Sequence, residues 1–189
     1  MPKTYKSILV ILLIISIFFG LIKVLNIHEI IMKKMYPRTY SEFVTKYAEE
    51  YNVDPLLVYA VIKAESNFDE SVVSQRNAKG VMQIMDTTAE EVAENIMSDT
   101  DFESGMLFDA EINIQIGTKY LSELLEKYQG NYYVAVAAYN AGIGTVDKWI
   151  NDGIIKSDGS DIENIPYKET NNYVRKIIRD YGIYEKLYG

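Results

Sequence analysis

The 189-residue chain contains no cysteine and a single histidine, His28. Without cysteine it can form no disulfide, use no thiol nucleophile and build no zinc site from cysteine and histidine. Because the one histidine lies close to a long apolar segment, Ser-His-Asp and Cys-His triads are also excluded. The chemistry that remains belongs to carboxylates, hydroxyls, amides and tyrosines, and no metal ion or organic cofactor is expected.

Basic residues are scarce outside the N-terminal segment. Residues 1–38 hold six of the 19 lysines and arginines but one of the 27 acidic residues, so residues 39–189 carry a net charge of −13. A domain this acidic repels a phosphate backbone, which makes nucleic acid a poor partner. The expected substrate is neutral, or is held through local contacts and not by a basic surface.

One long apolar run lies near the N-terminus. Residues 8–24 read ILVILLIISIFFGLIKV, a length of about 17 residues that is the lower limit for crossing a bilayer and exceeds a typical signal-peptide core. Neither a small-x-small cleavage motif nor a cysteine for lipidation follows it. The sequence predicts an uncleaved signal anchor within residues 1–38, with a cleaved signal peptide as the alternative. Lysines flank both ends, so charge alone does not fix the orientation.

Residues 39–189 show helical periodicity and almost no strand signal. Phe43, Tyr47 and Tyr51 recur at four-residue spacing, and Asp54 followed by Pro55 predicts the start of a second helix. Further helices are predicted at 88–95, opened by a capping box from Thr87 to Glu90, and at 112–128, 131–139, 143–150 and 170–187, with surface loops at 98–108 and 152–163. The predicted fold class is all-α, with one core of about 150 residues.

Glu65 ends the apolar helical run that starts after Asp54. It falls on one helix face with Leu57 and Val61 at four-residue spacing. Burial against apolar side chains raises the pKa of a carboxyl, and a group that protonates a glycosidic oxygen must keep its proton near neutral pH. The same pattern also fits an exposed glutamate at a frayed helix end.

Four motifs follow one another along the chain: Glu65-Ser66 with Phe68 and Ser74, GVMQIM at 80–85, AYNAG at 138–142, and PYKET at 166–170 with Tyr173. In order and spacing they resemble the motifs of the soluble lytic transglycosylases, relatives of goose-type lysozyme. The resemblance covers about residues 40–187 and implies a lysozyme-like helical domain at 39–189, preceded by the transmembrane helix. Asp86 stands where the family usually has proline, and we predict that it caps the next helix and is not catalytic.

The resemblance implies one catalytic residue and six that bind substrate: Glu65, and then Ser74, Met82, Gln83, Tyr139, Asn140 and Tyr173. The first three of the binding residues would contact the sugar next to the scissile bond or line the cleft. The last three would hold the sugar ring and the glutamate and close the site. Ordinary turn or core positions are the alternative for Ser74, Met82 and Asn140.

The implied role of Glu65 as the sole acid-base residue favours a lyase over a hydrolase. Ordinary glycosidases need two carboxylates flanking the bond, whereas Asp69 and Glu70 fall in a loop predicted to face solvent, and no second acid is expected in the site. In the family's route Glu65 protonates the glycosidic oxygen, the N-acetyl group of N-acetylmuramic acid assists, and the ionised Glu65 then deprotonates the C6 hydroxyl of that sugar. The product would be a 1,6-anhydro sugar.

The implied function is that of a lytic transglycosylase that cuts the β-1,4 bond between N-acetylmuramic acid and N-acetylglucosamine in peptidoglycan strands. Its catalytic domain would lie on the cell-wall side of the membrane. Three alternatives stay open: a hydrolytic muramidase, a non-catalytic glycan-binding module of the envelope, and a small membrane protein whose helices only dock partners. The sequence identifies no protein partner.

Overall fold

The computed structural model describes residues 3–24, 27–96 and 102–189, which fall into two units, one up to Pro37 and one from Arg38 to Gly189. The predicted all-α class is confirmed, because the described residues contain helices and two isolated β-bridges but no strand. The helices are α1 Lys3–Val24, α2 Ile27–Met35, α3 Ser41–Glu50, α4 Pro55–Glu65, α5 Asp86–Ile96, α6 Ala110–Lys127, α7 Tyr132–Ala141, α8 Ile143–Asn151 and α9 Lys168–Tyr188, with 3-10 helices at Ser104–Phe108 and Ile162–Asn164.

The first unit consists of α1 and α2. Residues Tyr5–Lys23 of α1 have a mean hydropathy of 2.5 and expose their apolar side chains. By length and composition α1 is the one helix in the described part of the chain that could cross a membrane. A signal sequence meets the same criteria, so the predicted anchor stays a prediction.

Helix α4 runs through the centre of the second unit. Its N-terminus forms as predicted, because the Asp54 carboxylate accepts the N–H of Leu56 at 2.7 Å and Pro55 occupies the first turn. Residues 57–62 are buried, and α4 packs against α3 and α9. The C-terminal end of α4, which carries Glu65, is therefore enclosed by other elements and does not fray into solvent.

The buried side chain of Asn113, on α6, ties the loop that follows α4 to the core. Its Oδ1 accepts the N–H of Met82 at 2.7 Å, and its Nδ2 donates to the carbonyls of Lys79 and Leu107 at 2.9 Å each. Gly80 lies in the same loop with φ at +74°, and a Cβ there would stand 2.1 Å from the Leu107 carbonyl oxygen. Only glycine fits at this close approach.

The start of α5 differs from the prediction. The helix begins at Asp86, two residues before the predicted Thr88. The Asp86 carboxylate accepts from Lys79 Nζ at 2.6 Å and from Ser104 Oγ at 2.8 Å, so it links three segments, whereas the prediction gave it only a capping role. Lys79 lies 7 residues before Asp86 and Ser104 lies 18 residues after it, so a pattern of capping residues, which spans about four positions, did not reveal them.

Two other segments also differ from their predictions. Helix α7 continues through Asn140 to Ala141, so that Gly142, with φ at +86°, alone separates it from α8. The segment 98–108 was predicted to be a surface loop, yet its residues 104–108 form a 3-10 helix and Leu107 is fully buried. The part of that loop before residue 102 lies outside the described residues.

Replacing Asn113 should destabilise the fold strongly. Asn113→Ala would leave the buried N–H of Met82 without its partner and would remove one hydrogen bond from each of the carbonyls of Lys79 and Leu107, so we expect the free energy of unfolding to fall by about 2 to 4 kcal/mol. Urea unfolding of the full chain in detergent measures this loss. Glu123→Ala, on the same helix but in a surface ion pair with Lys119, should cost less than about 1 kcal/mol. Equal losses in the two variants would contradict the anchoring role of Asn113.

Candidate active site

Glu65 is the half-buried last residue of α4, and α9 crosses beside it. The hydroxyl of Tyr173, on α9, donates to Glu65 Oε1 at 2.5 Å. About one turn further along α9, Lys176 Nζ donates to the carbonyl of Ala64 at 2.9 Å. The carboxylate is therefore held in one position by α4 and α9 together.

Burial raises the pKa of Glu65 from its ordinary value of 4.5 to about 7. The hydrogen bond from Tyr173 and the charge of Lys176 lower this pKa, and the charge of Glu169 raises it, but desolvation is the largest effect. Near neutral pH the group thus exists in both its protonated and its ionised form. A carboxyl in this state can give up a proton and take one back.

A groove with a volume of about 400 Å³ opens at Glu65. Five of the seven predicted site residues line it: Glu65, Ser74, Gln83, Tyr139 and Asn140. The remaining lining residues are Gln75, Arg76, Ala78, Met85 and Glu169. Tyr173 is not among them, and it reaches the site through its hydrogen bond to Glu65. Elements that are far apart in sequence thus converge on one carboxylate.

The loop residues of the groove are held by the loop's own backbone. Ser74 Oγ accepts the N–H groups of Arg76 at 3.2 Å and Ala78 at 3.0 Å. Gln83 has a left-handed backbone, with φ at +50°, and its side-chain amide donates to two loop carbonyls at 2.9 Å each. Both side chains are thus fixed before any ligand arrives.

Tyr139 and Asn140 occupy the last turn of α7. The Tyr139 hydroxyl donates to the carbonyl of Met82 at 2.9 Å, and Asn140 Oδ1 accepts from Thr170 Oγ1 at 2.8 Å, which joins α7 to α9. Burial and the nearby Glu65 charge hold the pKa of the Tyr139 and Tyr173 phenols well above their ordinary range. Both phenols therefore stay neutral donors near neutral pH.

Met82 does not line the groove, which corrects the expectation of a cleft-lining side chain. It is fully buried, its sulfur lies 3.9 Å from Thr118 Oγ1, and a Cβ at Gly117 would stand 2.6 Å from that sulfur. Gly117 on α6 leaves the space that the methionine fills. Met82 serves the site through its backbone carbonyl, which accepts from Tyr139.

Glu169 is a second acid in the groove, and the expectation that Glu65 has no acidic neighbour there is wrong. It lines the groove at the start of α9, and its negative charge raises the pKa of Glu65. Its position inside the PYKET motif was the signal that could have identified it. Asp69 and Glu70 are exposed, as predicted. Among the described residues no group of three or more histidines and acids could hold a metal ion.

Residues 42–159 match the family described as Transglycosylase SLT domain. The soluble lytic murein transglycosylase of Salmonella typhimurium is 31% identical over 160 residues, which cover 84% of this chain and 25% of that protein. The membrane-bound lytic murein transglycosylase C of Edwardsiella ictaluri is 36% identical over 115 residues, which cover 57% of this chain and 32% of that protein.

The fold is also similar to a solved structure, the 70 kDa soluble lytic transglycosylase of Escherichia coli. The TM-score is 0.75 with 28% sequence identity, and the match covers 84% of this chain and 26% of that one. The chain thus spans about a quarter of the length of the soluble relatives that it matches. The family match at residues 42–159 lies within the unit that carries the groove.

Glu65→Gln should change how stability depends on pH. The pKa of Glu65 is about 7 in the folded chain and 4.5 ordinarily, so the folded chain binds the proton more tightly than the unfolded chain does. The resulting stabilisation of the fold is complete below about pH 4.5 and is lost as the pH rises through about 7. Glutamine has no such dependence. Relative to wild type, the variant should therefore gain about 2 to 3 kcal/mol in free energy of unfolding between pH 4.5 and 8. Urea unfolding at both pH values measures this, with exposed Glu70→Gln as the control, and a pH-independent difference would contradict the raised pKa.

Tyr173→Phe should raise the pKa of Glu65 further, because it removes the hydrogen bond that favours the ionised form. Carbon NMR titration of the Glu65 carboxyl should show its midpoint moving to higher pH. Tyr181→Phe is the matched control, since Tyr181 is also on α9 and donates to a carboxylate, that of Asp54, at the other end of α4. The same shift in both variants, or none in Tyr173→Phe, would contradict the assignment.

Proposed function

The chain belongs to the transglycosylase SLT domain family, and from this premise we propose that it is a peptidoglycan lytic transglycosylase. Its substrate would be the glycan strand, cut at the β-1,4 bond between N-acetylmuramic acid and N-acetylglucosamine without consumption of water. The observation that supports this most is one half-buried carboxyl with a pKa of about 7, set in a groove and held by a phenol.

In the first step of the proposed reaction, protonated Glu65 gives its proton to the glycosidic oxygen. The bond between this oxygen and C1 of N-acetylmuramic acid breaks, and the carbonyl oxygen of the neighbouring N-acetyl group bonds to C1. N-acetylglucosamine leaves with a free 4-hydroxyl. Glu65 is then ionised, and the hydrogen bond from Tyr173 stabilises its negative charge.

In the second step Glu65 acts as the base. It removes the proton from the C6 hydroxyl of the same N-acetylmuramic acid, whose oxygen attacks C1 and displaces the N-acetyl oxygen. The product carries a 1,6-anhydro ring, and Glu65 regains its starting proton. A pKa of about 7 suits both steps, because neither the loss nor the gain of the proton is then strongly uphill. An attacking hydroxyl within the substrate also has a high effective concentration.

The polar groove residues would position the sugar. Ser74 Oγ accepts both of its hydrogen bonds from the loop, so its hydroxyl would donate a hydrogen bond to a sugar oxygen. Thr170 donates to the side-chain oxygen of Asn140, so the side-chain nitrogen of Asn140 would donate to the sugar. Gln83 donates twice to the loop, and its oxygen would accept from a sugar hydroxyl.

Hydrolysis is the second candidate, because Glu169 lines the same groove as Glu65. In a muramidase this carboxylate would activate a water molecule on the opposite face of the sugar. Glu169, however, is 72% exposed at its side chain and forms an ion pair with Arg76 at 3.7 Å. Glu169 therefore lacks the burial that distinguishes Glu65, which favours the lyase reaction.

We also propose that α1 anchors the chain to the membrane as a single span, with residues 39–189 on the cell-wall side. Its apolar segment Tyr5–Lys23 and the similarity to a membrane-bound transglycosylase support anchoring. The orientation follows from the proposed substrate, because peptidoglycan lies outside the membrane. Protease applied to intact cells should digest the catalytic domain, and its protection until the cells are lysed would contradict this orientation.

Glu65→Gln should abolish turnover, because the amide is nearly isosteric with the acid but cannot donate the proton. The full chain in detergent is incubated with purified peptidoglycan, and mass spectrometry identifies the released muropeptides. Wild type should release products one water lighter than hydrolysed ones, and the variant should lose at least about 1,000-fold in rate, as is typical when an essential acid-base group is removed. Glu70→Gln, a neighbouring exposed acid, should retain activity.

Each other outcome points to a different function. Products with a reducing end would establish a muramidase and make Glu169 the first candidate for its base. An active Glu65→Gln variant would contradict the assignment of the acid. A wild-type chain that binds glycan strands and never cuts them would be a binding module.

A further inference from the structure

A separate cavity, here named the tyrosine cavity, lies at the end of α4 opposite to Glu65. Its volume is about 610 Å³, and residues of α4, α6, α7, α9 and the adjoining loops line it, among them Tyr51, Tyr132 and Tyr181. None of its described lining residues lines the groove at Glu65. Because α4 has 11 residues and a helix rises about 1.5 Å per residue, the two ends of α4 lie about 16 Å apart. The proposed reaction therefore gives this cavity no role.

Two of the three tyrosines form an aromatic corner. The ring centroids of Tyr132 and Tyr181 lie 5.6 Å apart, and the ring planes meet at 68°. All three tyrosines are half-buried, so each keeps part of its surface accessible. The face of an aromatic ring attracts a cation that lies within about 6 Å of the ring centre. One such contact is already present in the chain, because Lys119 Nζ lies 5.8 Å from the centroid of the Tyr51 ring.

The charged residues of the tyrosine cavity are acidic. Asp54 and Glu126 line it, and no lysine or arginine is among its described lining residues. Both lysines of α6, the helix that carries Glu126, form ion pairs with other acids. Burial raises the pKa of the Tyr181 phenol, and the hydrogen bond to Asp54 and the charges of Asp54 and Glu185 raise it further. The cavity thus has a negative local potential, which favours a cation.

The lining favours an organic cation over a metal ion. Leu57 and Leu125 contribute apolar surface beside the two carboxylates. The described residues contain no group of three or more histidines and acids that could hold a metal ion. Both oxygens of Asp54 already accept hydrogen bonds, one from the Leu56 N–H at 2.7 Å and one from the Tyr181 hydroxyl at 2.6 Å. An ammonium ion would use the negative charge and the aromatic surface, and its alkyl stem would pack on the two leucines.

We infer that the tyrosine cavity binds an alkylammonium ion, that is, an ammonium group on an unbranched apolar stem. The ammonium group would lie between the carboxylate of Glu126 and the corner formed by Tyr132 and Tyr181, and the stem would lie against the leucines. The inference goes beyond the proposed function and does not depend on it, since binding at this end of α4 leaves the groove at Glu65 open. The site would hold the domain to an amine-bearing molecule while the groove stays accessible.

The test uses the full chain with carbon-13-labelled tyrosine rings, in a maltoside detergent, whose headgroup carries no ammonium group. It is titrated with n-butylammonium chloride and, separately, with 1-butanol, which has the same stem and no charge, at constant ionic strength. Among the 16 tyrosines, the NMR signals of Tyr51, Tyr132 and Tyr181 should shift, each assigned by its Tyr→Phe variant. Butylammonium should bind at least about tenfold more tightly than butanol, because only the cation gains from the ring faces and the carboxylates.

Variants of Glu126 and Tyr132 test the site itself. Glu126→Gln and Tyr132→Leu should each weaken the binding of butylammonium about threefold. Glu126→Lys would place an ammonium group of the chain in the cavity and should abolish binding. Glu90→Gln is the matched control, because Glu90 is an exposed acid on α5 that does not line the cavity, and it should bind as wild type does.

Three results would overturn the inference: equal affinities for the two probes, shifts confined to tyrosines outside the cavity, or wild-type affinity in Glu126→Lys. Because the titration measures binding and not turnover, each of these results would leave the transglycosylase proposal intact.

Discussion

The desolvation of one carboxylate, that of Glu65, is the constraint on which the rest of the second unit depends. Its pKa reaches about 7 only while apolar side chains surround the end of α4 and keep water away. Helix α4 is therefore buried along most of its length, and α9 crosses it so that Tyr173 and Lys176 contact the last turn. The two polar contacts lower the pKa and apolar burial raises it, and the balance leaves a carboxyl that can exchange its proton near neutral pH.

The loop that follows α4 forms one side of the groove at Glu65 and contains no helix or strand. Its conformation must therefore be fixed by hydrogen bonds to other elements. Its backbone groups bind side chains of other elements: Ser66 Oγ donates to the Val81 carbonyl at 2.7 Å, Tyr139 donates to the carbonyl of Met82, and Asn113 binds two further groups. Buried backbone groups left unpaired would cost more than these bonds contribute when made. The loop is thus confined to one conformation, and Ser74 and Gln83 inherit their positions from it.

The sequence predicted those features that depend on neighbours along the chain. Asp54 as a cap and Glu65 on the apolar face of α4 are of this kind, because helical spacing alone determines them. The cleft-lining role predicted for Met82 was wrong, and the prediction for Asp86 was incomplete, because both depend on contacts across the fold. Gly117 opens the space for the methionine only when α6 packs beside the loop, and Asp86 contacts Ser104, which lies 18 residues further along the chain. Similarity of motifs located the site, but three-dimensional packing decided which side chains face it.

The charge distribution fits a domain that does not need long-range attraction to reach its substrate. A net charge of −13 would slow the approach of a soluble enzyme to an anionic polymer, although salt limits this repulsion to a Debye length of about 8 Å at physiological ionic strength. A chain held at the membrane by α1 would remain close to the wall, so its effective concentration there would be set by the tether and not by electrostatic steering. In a tethered chain, cations would contribute to substrate binding only where they contact the substrate. Arg76 and Lys168 line the cavity that continues the groove at Glu65. For the proposed peptidoglycan substrate, repulsion between the acidic surface and anionic groups of the wall would oppose nonspecific adsorption outside the groove.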